Sequence, residues 1–470
     1  MIRLLLGVVT AAGLVAACSG NAPAGSTHAA RPAAAGSTAQ ASSTASASST
    51  AQASGTASAS SKAQAASAAK AAGTPPPSNC LVPPATCYSP SVFLSAYGIS
   101  PLHERGIDGR GQTVVMPEEA QQPGGGAVDI RQDMAQFDRM FHLPAAKLQV
   151  VNSLADSASP WLAGGEEAED AEMVHAVAPG AAITIVLVKP SVENNAADIA
   201  AALTAFLRLG ATQGSVLSLS ASIGEHDLTR AEAAGLDAAL RADRDHDVTV
   251  VAASGDKGAA SDLHFGSATP VKEVSLPASD PWVLAAGGTS LTANAATGAY
   301  TSETAWNTLP APPAPDDGSS ASGGGFSHLF ARPGYQDGLP GAEASRGVPD
   351  VAGDAGFDTG MAVVDGPGSF GNPFVHPATG TSAAAPFWAG IVALADQLAG
   401  RPLGFINPAI YSIARGPDYH AAFHDITTGD NTFTFPPATV AGYSAGRGWD
   451  PVTGWGTPDA AVLVPLLARS

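Results

Sequence analysis

From about Tyr88 to Leu467 the chain alternates short apolar runs with longer stretches in which apolar residues recur every three or four positions. Gln112 to Met116, Ala182 to Val188, Ser215 to Ser220, Val248 to Ala253 and Trp282 to Ala286 are short and nearly continuous in their apolarity, as in strands buried on both faces. Ala196 to Leu209, Arg230 to Asp245 and Ala383 to Leu398 carry the helical spacing. Strands separated by helices of this length predict an α/β fold, a doubly wound and mostly parallel sheet with helices on both faces, in a single domain over residues 79–470. In such folds the residues just beyond the carboxyl ends of strands are the first to inspect for chemistry. The Gly- and Pro-rich stretch from Pro310 to Gly325 reads as surface loop.

The pattern is different before Cys80. Residues 1–18 begin with Arg3 and continue in an apolar run, Leu4 to Ala17, that is too short to span a bilayer as a stable helix. Val15-Ala16-Ala17-Cys18 resembles a bacterial lipobox, in which the cysteine is acylated on sulfur and becomes the mature N-terminus; an ordinary secretory signal is the other reading. Residues 19–78 form the next segment, and Ser19 to Thr74 is almost entirely Ala, Ser, Thr, Gly and Gln, without an acidic or aromatic residue. A segment of that composition buries too little apolar surface to offset its ordering entropy, which predicts a flexible tether closed by the stiffer Pro75-Pro76-Pro77. The expected location is outside the cell, anchored at the bacterial surface through a lipid on Cys18. The two remaining cysteines, Cys80 and Cys87, are expected to close a small structural disulfide loop.

Charge narrows the function classes. The chain has 22 basic and 41 acidic residues, a formal net charge of −19. Arg3, Arg31, Lys62 and Lys70 precede Cys80 and every acidic residue follows it, so the globular part holds 18 basic against 41 acidic residues, a formal −23. A surface for the phosphate backbone needs clustered Lys and Arg, so nucleic acid is excluded as a partner. With 45% hydrophobic residues the chain has enough apolar material for a large core, which excludes global disorder.

Three segments carry candidate chemistry. Gly380-Thr381-Ser382-Ala383 opens an apolar helix, where backbone N–H groups and the helix dipole favour a developing oxyanion; a plain helix cap would look similar. None of the eleven histidines is followed by glycine, so the His-Gly signature of a subtilisin-type base is missing and the base is sought among carboxylates. Glu166 to Gly180 is acid-rich. At about 100° per residue, Asp170, Met173 and Val177 fall within about 40° of Glu166, which puts two carboxylates on the apolar stripe. Glu167 and Glu172 point elsewhere, as acids that merely complement a helix dipole would. Two buried carboxylates one turn apart repel each other, which raises the pKa of one and suits proton transfer. Finally, Val248 to Ala253 runs into Ser254-Gly255-Asp256. An aspartate there donates a hydrogen bond to an oxyanion only while protonated, an arrangement the ketosteroid isomerase site illustrates.

Taken together, Glu166-x-x-x-Asp170 ahead of Ala178-Pro179-Gly180-Ala181, Ser218-x-Ser220, Ala253-Ser254-Gly255-Asp256 and Gly380-Thr381-Ser382 resemble, in order, the blocks of the sedolisin (serine-carboxyl peptidase) family. The resemblance implies a serine endopeptidase acting on proteins or peptides, with Ser382 as nucleophile, Glu166 as its general base and acid, Asp170 orienting Glu166, and Asp256 stabilising the oxyanion. Phe423-His424-Asp425-Ile426 and Gly446-Arg447-Gly448-Trp449-Asp450 resemble the family's site for one calcium ion, with carboxylates from Asp425 and Asp450 and carbonyls from Ile426, Gly446 and Gly448; hard oxygen donors suit Ca²⁺. Two departures stand out. Ser19 to Thr74 is not the folded prodomain usual in sedolisins, so a folding partner is one expectation. Ala221 also follows Ser220 where the family commonly has an aromatic residue. A non-catalytic peptide- or protein-binding lipoprotein on the same scaffold is the rival reading.

Overall fold

A computed structural model describes residues 87–119, 129–152, 166–188, 196–207, 215–260, 271–308, 320–342, 344–367, 373–435 and 438–470. The signal, the tether and Cys80 lie outside these residues, whereas Cys87 is buried and disulfide-bonded. The apolar runs form strands β1 (Thr113–Glu119), β2 (Lys147–Asn152), β3 (Ala182–Val188), β4 (Val216–Leu219), β5 (Thr249–Ala253), β6 (Leu284–Ala293), β7 (Tyr300–Ala305) and β8 (Val351–Asp354). They build one sheet in the order β8–β6–β5–β4–β1–β3–β2. Every neighbouring pair on that path is parallel, and β7 adds to β6 antiparallel.

Successive residues of a strand leave opposite faces, and here both faces are covered. Val114, Met116, Ile183, Val251 and Ala253 join one core, together with residues of helices α1 (Ile130–Phe141), α2 (Glu166–Val177) and α5 (Gly380–Ala399). Val115, Val186, Val250 and Ala252 join a second core, with residues of α3 (Ala196–Leu207) and α4 (Arg230–Arg244). This is the doubly wound α/β fold expected from the pattern. Local signals fix the helix ends: Asp129 caps α1 through the Arg131 N–H, and Thr229 and Glu232 form a reciprocal capping box on α4.

One expectation fails. Residues 309–319 are outside the described set, but Ala321 to Gly325 are buried rather than surface loop. Glycine is the reason. A Cβ on Gly323 would lie 2.2 Å from the Ser254 carbonyl oxygen, so only a bare backbone can lie against the Ser254-Gly255 turn. The Gly323 N–H donates to the Gly255 carbonyl at 2.7 Å, and the Ala321 N–H to the Asp256 carbonyl at 2.9 Å. The polar, glycine-rich block is thus the support on which the Asp256 turn rests.

Candidate active site

Three adjacent strands, β1, β4 and β5, deliver side chains at their carboxyl ends: Glu118, Ser220 and Asp256. Against them stand the amino ends of two helices. Glu166 is the first residue of α2 and Ser382 the third of α5. The helices approach closely where the last residue of α2 meets the middle of α5, because a Cβ on Gly390 would lie 2.6 Å from Val177 Cγ1. The Ser382 hydroxyl donates to Glu166 Oε1 at 2.6 Å. Both groups are partly buried, at helix ends whose N–H groups favour negative charge.

Asp256 meets the start of α5. Its Oδ1 accepts both the N–H and the hydroxyl of Thr381, each at 2.8 Å, and the Thr381 hydroxyl oxygen in turn accepts the Gly255 N–H at 3.0 Å. Its Oδ2 lies above Gly380, where a Cβ would come within 2.6 Å. Gly380 has φ +74, so glycine is required there by both conformation and space. Oδ1, which accepts two donors, is thus not the oxygen that would carry a proton.

Asp170 is fully buried one turn below Glu166. Its Oδ2 accepts the Ser220 hydroxyl at 2.5 Å. Its second partner is Glu118, which the sequence reading missed. Burial, then the charges of Asp170, Glu167 and Glu166, hold the Glu118 carboxyl well above its ordinary range. Glu118 therefore keeps its proton and donates it to Asp170, an interaction that lowers Asp170. Burial and the charge of Glu166 nonetheless keep Asp170 above the usual carboxylate range. Glu118 follows Met116 and Pro117 at the end of a buried strand; its position just beyond a predicted strand was the available signal.

Glu167 and Glu172, which fall off the apolar stripe, are nonetheless buried. Every residue of α2 after Glu166 is buried. Packing against α1, α5 and the hairpin Ala362–Pro367 with Pro373–Pro377 closes off the side that a surface helix would show to water. Glu172 instead accepts the Val364 N–H at 2.6 Å, and Glu169 the Thr379 N–H at 2.8 Å. Burial pushes both carboxyls well up.

Of the residues expected to hold calcium, Asp425 meets Gly448 and Asp450 meets Gly446. Asp425 Oδ1 accepts the Gly448 N–H at 3.0 Å, and Asp450 Oδ2 accepts the Gly446 N–H at 2.9 Å. Asp450 is buried, and its other oxygen takes the N–H groups of Val452 and Thr453. Among the described residues no cluster of three or more His, Cys, Asp or Glu side chains is arranged for a metal. Two carboxylates in a glycine-rich loop fit Ca²⁺ provided that main-chain carbonyls, such as those of Ile426, Gly446 and Gly448, complete the oxygen shell.

A parallel sheet whose strand ends and two helix amino ends converge on a serine and its carboxylates defines a subtilisin-like scaffold of the serine-carboxyl kind. The chain belongs to the Subtilase family, whose model (Peptidase_S8) matches residues 158–403, the span holding Glu166, Asp170, Asp256 and Ser382. Kumamolisin from Bacillus sp. (strain MN-32) is 35% identical over 399 residues, 82% of this chain and 64% of kumamolisin. Sedolisin from Pseudomonas sp. (strain 101) is 36% identical over 193 residues, 40% of this chain and 30% of that protein. Human tripeptidyl-peptidase 1 is 33% identical over 47% of this chain and 37% of its own length. The chain thus spans less than two thirds of the length of these relatives. Among solved structures, Pseudomonas sedolisin, a serine-carboxyl proteinase complexed with two molecules of pseudo-iodotyrostatin, aligns with a TM-score of 0.64 and 25% identity over 80% of this chain and 97% of that one. The sedolisin resemblance read from the motifs is borne out by these likenesses.

Proposed function

We propose that this chain is a serine-carboxyl endopeptidase that hydrolyses proteins or peptides through an acyl-enzyme in acid, outside the cell. The observation that carries the reading is the 2.6 Å hydrogen bond from the Ser382 hydroxyl to Glu166, in a family of peptidases. Glu166 takes the hydroxyl proton as the Ser382 oxygen bonds to the scissile carbonyl carbon, and returns it to the leaving amine as the C–N bond breaks. Water, deprotonated by the same carboxylate, then hydrolyses the ester. The tetrahedral oxyanion is received by the Ser382 N–H and the Oδ2 proton of Asp256. The acid preference follows because Asp256 donates only while protonated.

In support of export, Arg3 and the apolar run Leu4 to Ala17 precede a lipobox-like Val15-Ala16-Ala17-Cys18, and a lipid on Cys18 is the anchor of this reading. Cys80 is the partner proposed for Cys87, and a separate folding partner is dispensable only if calcium binding at Asp425 and Asp450 supplies the needed stability.

The decisive test compares wild type with Ser382→Ala in digestion of denatured casein from acidic to neutral pH. The variant should lose about 10⁴-fold or more in rate; equal digestion by both removes Ser382 from its role. For calcium, a chelator should lower the thermal midpoint by several degrees and Ca²⁺ should restore it, whereas an unmoved midpoint counts against the ion.

A further inference from the structure

Ser220 stands between the acids and the nucleophile. It directly follows β4, whose last residue, Leu219, is held in register beside Ala252 of β5, so the Ser220 backbone has little freedom. Its hydroxyl oxygen lies 2.5 Å from Asp170 Oδ2 and 3.2 Å from the main-chain carbonyl oxygen of Ser382. That carbonyl lacks its regular helical donor for a reason written in the sequence. In a regular helix it would accept the N–H of the residue four positions on, and that residue is Pro386, which has none. The proline inside α5 thus leaves an acceptor on the nucleophile itself, and Ser220 faces it.

We propose that Ser220 is a positioning residue whose hydroxyl pins the Asp170 carboxylate at the end of β4, beside the main chain of Ser382, and so holds Glu166 in line with the nucleophile. The proposal rests on the peptidase reading above. The hydroxyl has one proton and two acceptors. While Asp170 is ionised, the shorter contact to a charged oxygen takes that proton. When Asp170 itself gains a proton, it can donate to the Ser220 oxygen and release the Ser220 proton to the Ser382 carbonyl. The hydroxyl therefore turns with the charge on Asp170. The groups facing Asp170 are Glu118 from β1, Glu166, Glu167 and Glu169 from its own helix, and Ser220 from the end of β4. The acids raise Asp170, and the donations from Ser220 and Glu118 keep it ionised to lower pH.

The test uses the full chain and an internally quenched peptide that wild type cleaves. Ser220→Ala should lower kcat roughly ten- to a hundredfold with KM little changed. Without its donor, Asp170 holds a proton more tightly, so the acid limb of kcat/KM should move toward neutral by about one pH unit. Ser220→Thr, which keeps the hydroxyl, should recover most of kcat and bring the limb back. A Ser220→Ala enzyme with an unmoved limb, or a threonine variant no better than alanine, overturns the proposal. A carbon-detected NMR titration of the Asp170 carboxyl in a Ser382→Ala background reads the coupling whether or not peptides are cleaved. Ser220→Ala should shift that titration upward, and an unchanged titration rejects the role of Ser220. Hydrolysis that survives Ser382→Ala rejects the peptidase reading instead, and the titration still decides on Ser220.

Discussion

The Asp350 and Asp170 carboxylates are both wholly buried, and they are held by different chemistry. Asp350 faces a cation: Arg346 reaches Oδ1 at 2.7 Å and Oδ2 at 2.6 Å as a two-pronged donor. The Ala285 N–H, the Tyr411 hydroxyl and the Asn407 amide also donate to it, at 2.8, 2.7 and 3.2 Å. Asp170 faces acids. Glu166 and Glu167 are the charges that act on it most strongly, and its partners are a hydroxyl and the protonated Glu118. A guanidinium keeps its charge at any pH a protein meets, whereas a shared proton is lost as pH rises. The first site is held by a permanent charge; the second is held by a proton.

The comparison breaks most visibly if the cation is removed. Arg346→Met leaves Asp350 buried without its counter-charge and should cost about 3–5 kcal/mol of stability at neutral pH. Part of that loss should return in acid, where Asp350 can take up a proton, so denaturant midpoints at pH 4 and pH 8 should diverge more than in wild type. A divergence no larger than in wild type would mean that the guanidinium is not what makes Asp350 tolerable.

A smaller effect tests the proton-held carboxylates. Burial pushes Asp133, Asp280, Asp354 and Asp396 up to about 7. Their unfolded value is near 4, so the folded state keeps protons that the unfolded chain has released. Their contribution is fully present below about pH 4 and is lost as pH rises through about 7. The domain should therefore be most stable in acid, the reverse of a protein built on salt bridges. Asp354 offers a clean probe, because its Oδ2 is buried without a donor while Oδ1 accepts the Leu291 N–H and the Thr359 hydroxyl. Asp354→Asn should reduce the loss between pH 4 and pH 8 by about 2–4 kcal/mol. A variant that loses stability over this range as steeply as wild type would show that Asp354 is not among the groups responsible.

The same contrast explains what could be read from the sequence. Ser382, Glu166 and Asp256 each sit in a local pattern, a helix start, a helical stripe or a strand-to-glycine turn, and short-range rules suffice to find them. The sheet was legible for the same reason: Ala182–Val188, with Ile183 and Ile185 to Leu187 buried, announces itself as an apolar run. Lys147–Asn152 did not, since it lies at the sheet edge with residues only half buried. Glu118 and Ser220 are functional through partners 52 and 50 positions away at Asp170, and no local pattern encodes such a contact. The burial of Glu169 and Glu172 was hidden because stripe analysis assumes that every helix keeps one wet side. In α2 that side is roofed by another part of the chain.

The crossing of α2 and α5 at Gly390 has a consequence for how the nucleophile meets its base. The spacing between Ser382 and Glu166 is gauged about two helical turns away, where the missing methyl lets Val177 nestle into the neighbouring helix. Any side chain added at 390 would act as a wedge, prising the two rods apart and lengthening a hydrogen bond it never touches.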